Sequence, residues 1–556
     1  MDIRQLAPAI SVSPQILPAD LAALKQAGFR AIICNRPDGE GADQPLFAEV
    51  ARAAEALGIE AHYLPAESGK VSDNQGATFG QLLDRLPKPV LAYCRTGMRS
   101  ATMWALSESA RQTLPQIVFA AQQAGFDLKA VVRRIANQGR TPIEVAEAEH
   151  AVVIIGGGAA GIATAASLLA RSPGLDIVII DPADVHYYQP GWTLVGCGVF
   201  DAAETAHTMA STIPHGVHWI KSAVAAFEPE RNAVILDGCR VVKYQQLVVC
   251  PGLKLNWQAI EGLPETLGRN GVTSNYLYHL APYTWKLVQE LRQGRAIFTQ
   301  PPMPIKCAGA PQKAMYLSAD HWKREGVLDR IDIEFCNAGA VLFGVPAYVP
   351  ALMEYITAYG VHLHFGNTLT SVDGPARTAT FSRANADGSK EIVTREFDLL
   401  HVVPPQVAPD FIRVSPLADA AGWIDIDPAT LRHKAFANIH ALGDAGNSSN
   451  AKTAAAARKQ APVVAHNVLA AMGKCKGTAS YDGYGSCPLT VERGKIVLAE
   501  FGYGGKLAPS FPSWLIDGTR PSRLAWLLKE RILPPLYWRG MLKGREWMAK
   551  PELADL

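Results

Sequence analysis

The run Val152-Val153-Ile154-Ile155-Gly156-Gly157-Gly158-Ala159-Ala160-Gly161 constrains this chain more than any other stretch. Ala151 to Ala170 carries no charge, and about 20 apolar residues is the length of a membrane-spanning helix. Gly156, Gly157, Gly158 and Gly161 argue against a span, because each glycine costs a helix interior about 1 kcal/mol. The pattern reads instead as a buried strand, a glycine turn and a helix through Leu169. In that setting Gly156 makes the tight turn, Gly158 lets backbone approach a pyrophosphate, and Gly161 lets helix and strand pack closely. Ala159 and Ala160 open the helix, whose free N–H groups and dipole favour an anion. A second strand, Ile177–Ile180, ends in Asp181, the carboxylate expected on ribose hydroxyls.

A later segment points to FAD as the cofactor. The short apolar strand Ile439–Leu442 runs into Gly443-Asp444, and Lys452-Thr453 opens another helix. An aspartate at such a strand end suits a ribitol hydroxyl, and the helix N-terminus suits the electron-rich edge of a flavin. Two-dinucleotide flavoproteins of the disulfide-reductase type look like this, and their second Rossmann unit carries its own glycine fingerprint. Here the strand Ala296–Thr299 runs into Gln300-Pro301-Pro302-Met303-Pro304-Ile305-Lys306-Cys307. Prolines and a cysteine stand where the glycines belong, so FAD is expected and NADH as electron donor is not. Cys307 lies between Lys306 and Lys313, whose charges favour the nucleophilic thiolate.

Length and composition frame these motifs. The 556 residues allow three or four domains at roughly 150 residues each. A content of 48% hydrophobic and 19% charged residues excludes wholesale disorder, and a net charge of +2 argues against a nucleic-acid binder. Nine cysteines without a paired framework, and no signal-peptide pattern from Met1 to Arg4, read as reduced thiols in a cytoplasmic protein. Strand-like runs alternating with helical stretches give an α/β fold with largely parallel sheets. The expected division is 1–142, then 148–275 and 399–472 as two parts of an FAD-binding unit. Residues 276–398 form a second Rossmann-like unit carrying Cys307, and 473–556 a membrane- or quinone-associated region.

The first segment holds its own signature. Pro89–Tyr93 reads as a strand leading into Cys94-Arg95-Thr96-Gly97-Met98-Arg99-Ser100 and a helix. A thiolate in a loop of backbone N–H groups at a helix N-terminus is an anion cradle. Arg95, Arg99 and the loop amides would stabilise the anion, and Asp38 or Asp43 could serve phosphatase chemistry as general acid. The segment resembles the dual-specificity-phosphatase-like domain fused to persulfide dioxygenases and related sulfur enzymes. Four residues separate Cys94 from Arg99, a small ring similar to the rhodanese loop, which implies a sulfurtransferase that holds a persulfide.

At the other end, Ser522 to Lys550 holds seven basic residues against Glu530 and Glu546. Trp526, Leu527, Ile532, Tyr537, Trp538, Met541, Leu542 and Trp547 interleave with them. The mixture suits amphipathic helices lying on an anionic bilayer, or a helical hairpin packed on the protein or a homo-oligomer interface.

Further motifs carry a second resemblance. Tyr187–Gly196, the Cys307 loop, Ser415–Asp419, Gly443-Asp444 with Lys452–Ala456, and Tyr481–Tyr484 with Ser486-Cys487-Pro488-Leu489 resemble sulfide:quinone oxidoreductases of the mitochondrial type, over about 148–556. The resemblance implies FAD-dependent oxidation of sulfide, or a persulfide, to a cysteine persulfide. Electrons would pass to a membrane quinone, and sulfur to a small acceptor such as glutathione or sulfite. It implies a protein peripheral on the inner face of the cell membrane. Cys307 corresponds to one of the family's two redox cysteines. The other directly follows the Gly-Asp pair, where this chain has Ala445. Three routes stay open: Cys307 acting alone through a flavin adduct, replacement of the partner by Cys197 (or Cys250), or a different reductant. Two rival readings remain: a flavin-dependent quinone reductase with another reductant joined to a true phosphatase, and a sulfide or redox sensor without turnover.

Overall fold

The computed structural model describes residues 2–42, 44–142, 148–385 and 388–554, and Asp43 lies outside them. The chain divides into two units, and the division does not follow the linear order of the segments. The first comprises Met1–Glu149 with Ser222–Tyr244 and Asp410–Ala418; the second comprises His150–Lys221, Gln245–Pro409 and Asp419–Leu556.

The first unit is built on a five-stranded sheet in the order Arg4–Ala7, Ile10–Ser13, Val90–Tyr93, Ala31–Cys34, Glu60–Tyr63. All neighbours except the first pair are parallel. Its central strands are apolar throughout because both faces are covered. Ile33, Val90 and Ala92 join Phe79, Trp104 and Ile117 on one face. Ile32, Cys34, Leu91 and Tyr93 join Leu21, Leu24 and Val50 on the other. The hairpin Val224–Glu228/Ala233–Leu236 adds Ala225 to the first of these cores, and Arg133 pairs with Glu228 at 2.8 Å.

The second unit holds two parallel sheets, as the α/β reading expects. In the first, Ile177–Ile180 lies between Val217–Ile220 and the strand entering the glycine turn, in register Val152↔Ile177. Val241–Val249 continues this sheet and pairs with Ile439–Ala441, so the two distant halves of the dinucleotide motif lie in one sheet. The helices that follow those halves, Ala159–Arg171 and Ala454–Ala471, pack on each other. The second sheet runs Val272–Thr273, Leu399–His401, Gly294–Gln300, Ile331–Asn337, His362–Phe365. The helix Ala310–Arg324 covers it and also meets the antiparallel hairpin Gly485–Glu492/Lys495–Phe501.

The carboxyl-terminal segment is helical, and much of its apolar face packs on the protein rather than facing outward. It runs as α-helical Arg523–Leu527, then π-helical Leu528–Ile532 and Leu536–Gly540. Trp526, Tyr537, Met541 and Leu542 are buried within the unit. The Tyr537 hydroxyl meets His186 Nε2 at 2.6 Å, and Trp538 stacks on His207 at 3.9 Å between ring centroids. Only part of the interleaved apolar set, including Leu527, Ile532 and Trp547, faces outward.

Candidate active site

The glycine turn has the geometry of a phosphate cradle. Gly156 sits at φ +105°, and a Cβ there would stand 2.5 Å from the Cys250 carbonyl oxygen. A Cβ on Gly161 would stand 1.9 Å from the Gly156 carbonyl oxygen, so only glycine lets the helix start against the strand. Gly158 has no heavy atom within 4 Å of its Cβ position, which leaves that side of the turn open to a ligand. No side chain caps the helix beginning at Ala159, so its first N–H groups stay available to an anion. Asp181 holds the turn, its carboxylate accepting from Gly157 N at 2.6 Å and Ala183 N at 2.8 Å.

The second half of the motif closes on the first. A Cβ on Gly443 would lie 3.2 Å from that of Ala160. Burial pushes the Asp444 carboxyl above its ordinary pKa, against the pull of Lys452 and Lys306. Lys452 Nζ donates to the Asp444 and Gly446 carbonyls, both at 2.8 Å, and lies over the Trp423 ring. Burial lowers its pKa to about 8. Thr453 caps the helix Ala454–Ala471 by accepting from Ala456 N. An open glycine face and two helix N-termini on one sheet, with a buried acid between, fit FAD.

Cys307 stands where a second nucleotide loop would be. Its backbone is left-handed (φ +51°), held by donation from Cys307 N to the Lys452 carbonyl at 2.8 Å and from Ala310 N to the Cys307 carbonyl at 2.7 Å. Lys313, only 2% exposed, places Nζ 3.2 Å from Cys307 Sγ. Lys306 takes no part in that contact: its ammonium lies over the Trp192 and Tyr276 rings and bonds Gln189 Oε1.

Cys487 Sγ lies 3.6 Å from Cys307 Sγ. The Cys487 thiol and, against burial, the Lys313 and Lys529 ammonium groups hold Cys307 well below the usual thiol range. Cys487 moves the other way, raised first by the neighbouring Cys307 and then by burial. The pair is thus biased toward ionisation at Cys307, with Cys487 favouring the thiol form. Lys529, 5% exposed, is lowered to about 7 by burial and by Lys313.

The expected stand-ins for a second cysteine are engaged elsewhere. Cys197 donates to the Leu194 carbonyl at 3.3 Å and is pushed up to about 12 by burial. Cys250 points at the Gly156 carbonyl, 3.9 Å away, and is raised by burial. Ala445 is fully buried. The residue motifs contain Cys487 but give it no role, because 180 residues separate it from Cys307. Only the alternation of a strand that turns Gly485, Cys487 and Leu489 inward hints at its direction.

In the first unit, Cys94 ends the strand Val90–Tyr93 and is 1% exposed. Gly97, at φ +88°, donates its N–H to Cys94 Sγ at 3.1 Å before the helix Met98–Glu108 begins. Arg99 is buried and forms a two-point ion pair with Glu40, both bonds 2.8 Å, and donates to the Ala66 carbonyl at 2.7 Å. Burial pulls the guanidinium down, and Glu40 with the Cys94 sulfur more than offsets it. Arg95 is exposed. Asp38, expected as a general acid, accepts from Phe47 N at 2.8 Å, the work of a backbone cap. Sequence reading missed Glu40, since nothing local marks it as the partner of a residue 59 positions away.

Fold and site together define a flavoprotein of the two-dinucleotide class joined to a thiol-loop domain. Residues 150–300 match the family described as pyridine nucleotide-disulphide oxidoreductase. Residues 2–111 match the phosphatase-like domain of beta-lactamase hydrolase-like protein. Mitochondrial sulfide:quinone oxidoreductase of Dictyostelium discoideum is 38% identical over 448 residues, covering 80% of this chain and 94% of that protein. Its Mus musculus counterpart is 35% identical, covering 75% of this chain and 93% of that one. The solved sulfide:quinone oxidoreductase of Aquifex aeolicus shares the fold at a TM-score of 0.59 and 17% identity, over 72% of this chain and 92% of that one. The chain belongs to the sulfide:quinone oxidoreductase family.

Proposed function

We propose that the second unit oxidises sulfide at Cys307 and delivers the electrons to a quinone. The observation that carries this reading is the lysine-paired Cys307 thiolate in the loop where a nicotinamide-binding unit would have its glycines. FAD, held by Gly156, Gly158, Ala159, Ala160 and Gly161 and by Asp181, Gly443, Asp444, Lys452 and Thr453, supplies two-electron acceptor chemistry when bound. Lys313 keeps Cys307 ionised so that it can take part in sulfur–sulfur bond formation. The Tyr276 hydroxyl steadies the loop by donating to the Lys306 carbonyl at 3.0 Å. Sulfane sulfur leaves to a small thiol or oxyanion acceptor such as glutathione or sulfite.

Quinone is an apolar substrate, and the surface supports a peripheral place on the inner face of the cell membrane. Trp514 is 83% exposed, and Leu515, Leu524, Leu527 and Ile532 also face outward, with Arg520, Arg523 and Arg531 exposed among them. Among the described residues no helix is long and apolar enough to cross a membrane. The test of the reaction is sulfide-dependent reduction of a soluble quinone by the purified holoenzyme. Cys307→Ser should abolish it while leaving the bound-flavin spectrum in place. Undiminished turnover in that variant would contradict the assignment.

For the first unit the same reading makes Cys94 a carrier of sulfane sulfur, its persulfide anion stabilised by Arg99 and the Gly97 amide, with Arg95 at the loop's outer edge. The Glu40-braced Arg99 favours one second reading, phosphate-ester hydrolysis, for which the same loop would cradle the ester. Incubation with thiosulfate followed by mass spectrometry should show one sulfur atom gained on Cys94. Hydrolysis of p-nitrophenyl phosphate without that gain would decide for the phosphatase.

A further inference from the structure

Both backbone groups of Gly157, the middle glycine of the phosphate turn, have partners. Its N–H donates to the Asp181 carboxylate at 2.6 Å, and its carbonyl oxygen lies 2.9 Å from His186 Nδ1. A carbonyl only accepts, so the proton of the imidazole sits on Nδ1. His186 is 3% exposed, and burial lowers its pKa, which keeps the ring neutral. A neutral imidazole protonated on Nδ1 only accepts at Nε2. The Tyr537 hydroxyl meets Nε2 at 2.6 Å and is therefore the donor. The hydrogen bonds run one way, from Tyr537 through His186 to the turn. The direction of the Gly157 carbonyl sets what the turn offers a ligand. The Gly157–Gly158 peptide is trans, so that carbonyl and the Gly158 N–H point in opposite directions. With the carbonyl drawn inward onto His186, the N–H turns outward, where Gly158 is exposed and its Cβ position is clear of heavy atoms. A rotated peptide would instead aim an oxygen at the phosphates.

The segment that supplies Tyr537 is fastened around the same site. Glu546 accepts from Ser167 Oγ at 2.6 Å and pairs with Arg171 at 2.8 Å, both on the helix that opens at Ala159. A Cβ on Gly544 would stand 2.7 Å from the Ala166 carbonyl oxygen, so the segment runs in direct contact with that helix. Arg458, on the helix Ala454–Ala471, bonds the Trp547 carbonyl. The stretch from Tyr537 to Trp547 thus touches the brace of the turn and both helices whose N-termini face the cofactor site. We propose that His186 and Tyr537 are positioning residues for FAD, through which the carboxyl-terminal segment holds the pyrophosphate turn in its binding form. The proposal rests on the flavin site described above.

The test measures FAD dissociation from the full-length holoenzyme on serial dilution, read by the rise of free-flavin fluorescence, which gives a Kd. Tyr537→Phe removes one oxygen atom and should weaken FAD by about five- to tenfold. His186→Leu leaves the Gly157 carbonyl without its partner and should weaken it by about 30-fold or more. His186→Asn keeps a donor for that carbonyl and loses only the tyrosine. It should recover to the level of Tyr537→Phe, and combining the two should add no further loss. A role confined to packing would lower the urea midpoint and leave the Kd in place. Where His186→Leu does not fold, Tyr537→Phe decides alone. A Kd within about twofold of wild type in Tyr537→Phe would overturn the proposal and leave the flavin site standing. Wild-type protein that takes up no FAD would overturn both.

Discussion

At the residue scale the proposed chemistry turns on Lys313, which bonds Cys307. A buried ammonium at hydrogen-bond distance is worth about 1.5–3 kcal/mol to a thiolate, or roughly 1–2 pKa units. Lys313→Met should therefore raise the pH at which Cys307 reacts with iodoacetamide by about 1–2 units, read by following the Cys307 peptide across pH. An unchanged profile would show that Cys487 and Lys529 sustain the thiolate without Lys313. Glu40 plays a comparable part in the first unit, gripping Arg99 at two points. Glu40→Ala should reduce Cys94 chemistry by about tenfold or more, since an unbraced guanidinium no longer faces the loop. Rescue by Glu40→Asp would mark a positioning role, and undiminished chemistry in Glu40→Ala would refute it. Sequence made Cys94, Cys307 and the glycines legible because each sits in a short motif whose spacing carries its own geometry. Cys487 and Glu40 were not legible, because their meaning comes from partners brought by tertiary folding.

At the element scale, the strand–turn–helix around Gly156 follows the sequence closely, since local periodicity and glycine positions suffice to specify it. The carboxyl-terminal segment does not. Its amphipathic pattern suggests regular surface helices, yet π-helical turns rotate Lys529 into the interior and carry Tyr537 against His186. Such turns depend on tertiary packing more than on residue propensity. The burial of Lys529 has a measurable consequence. Its folded pKa of about 7 lies below the ordinary lysine value of 10.5 that the unfolded chain keeps. Between those values the unfolded chain binds the proton and the folded chain does not, so stability rises with pH across that window, by up to about 1.4 kcal/mol per pH unit. Urea midpoints of the wild type relative to Lys529→Met should accordingly increase from pH 7 to pH ~9.5 and change little below pH ~6. A difference that stays flat throughout would place the lysine in water.

At the scale of the whole molecule, two units each carry a candidate reactive thiol, and the chain enters the first unit three times. Sequence alone leaves 222–244 within the FAD-binding unit, because a hairpin such as Val224–Glu228/Ala233–Leu236 has nothing local to reveal which core it joins. The exposed Trp514, Leu524, Leu527 and Ile532 belong to this scale too. Replacing Leu524, Leu527 and Ile532 together by glutamate should weaken cosedimentation with anionic-lipid vesicles by about tenfold or more. Soluble-quinone turnover should survive, and full vesicle binding would rule this surface out. The most direct test of the account is an anaerobic sulfide titration of the holoenzyme, followed by flavin absorbance and then addition of a soluble quinone. Sulfide should bleach the flavin and quinone should reoxidise it, repeatedly over many turnovers. A flavin that stays oxidised in sulfide would contradict it.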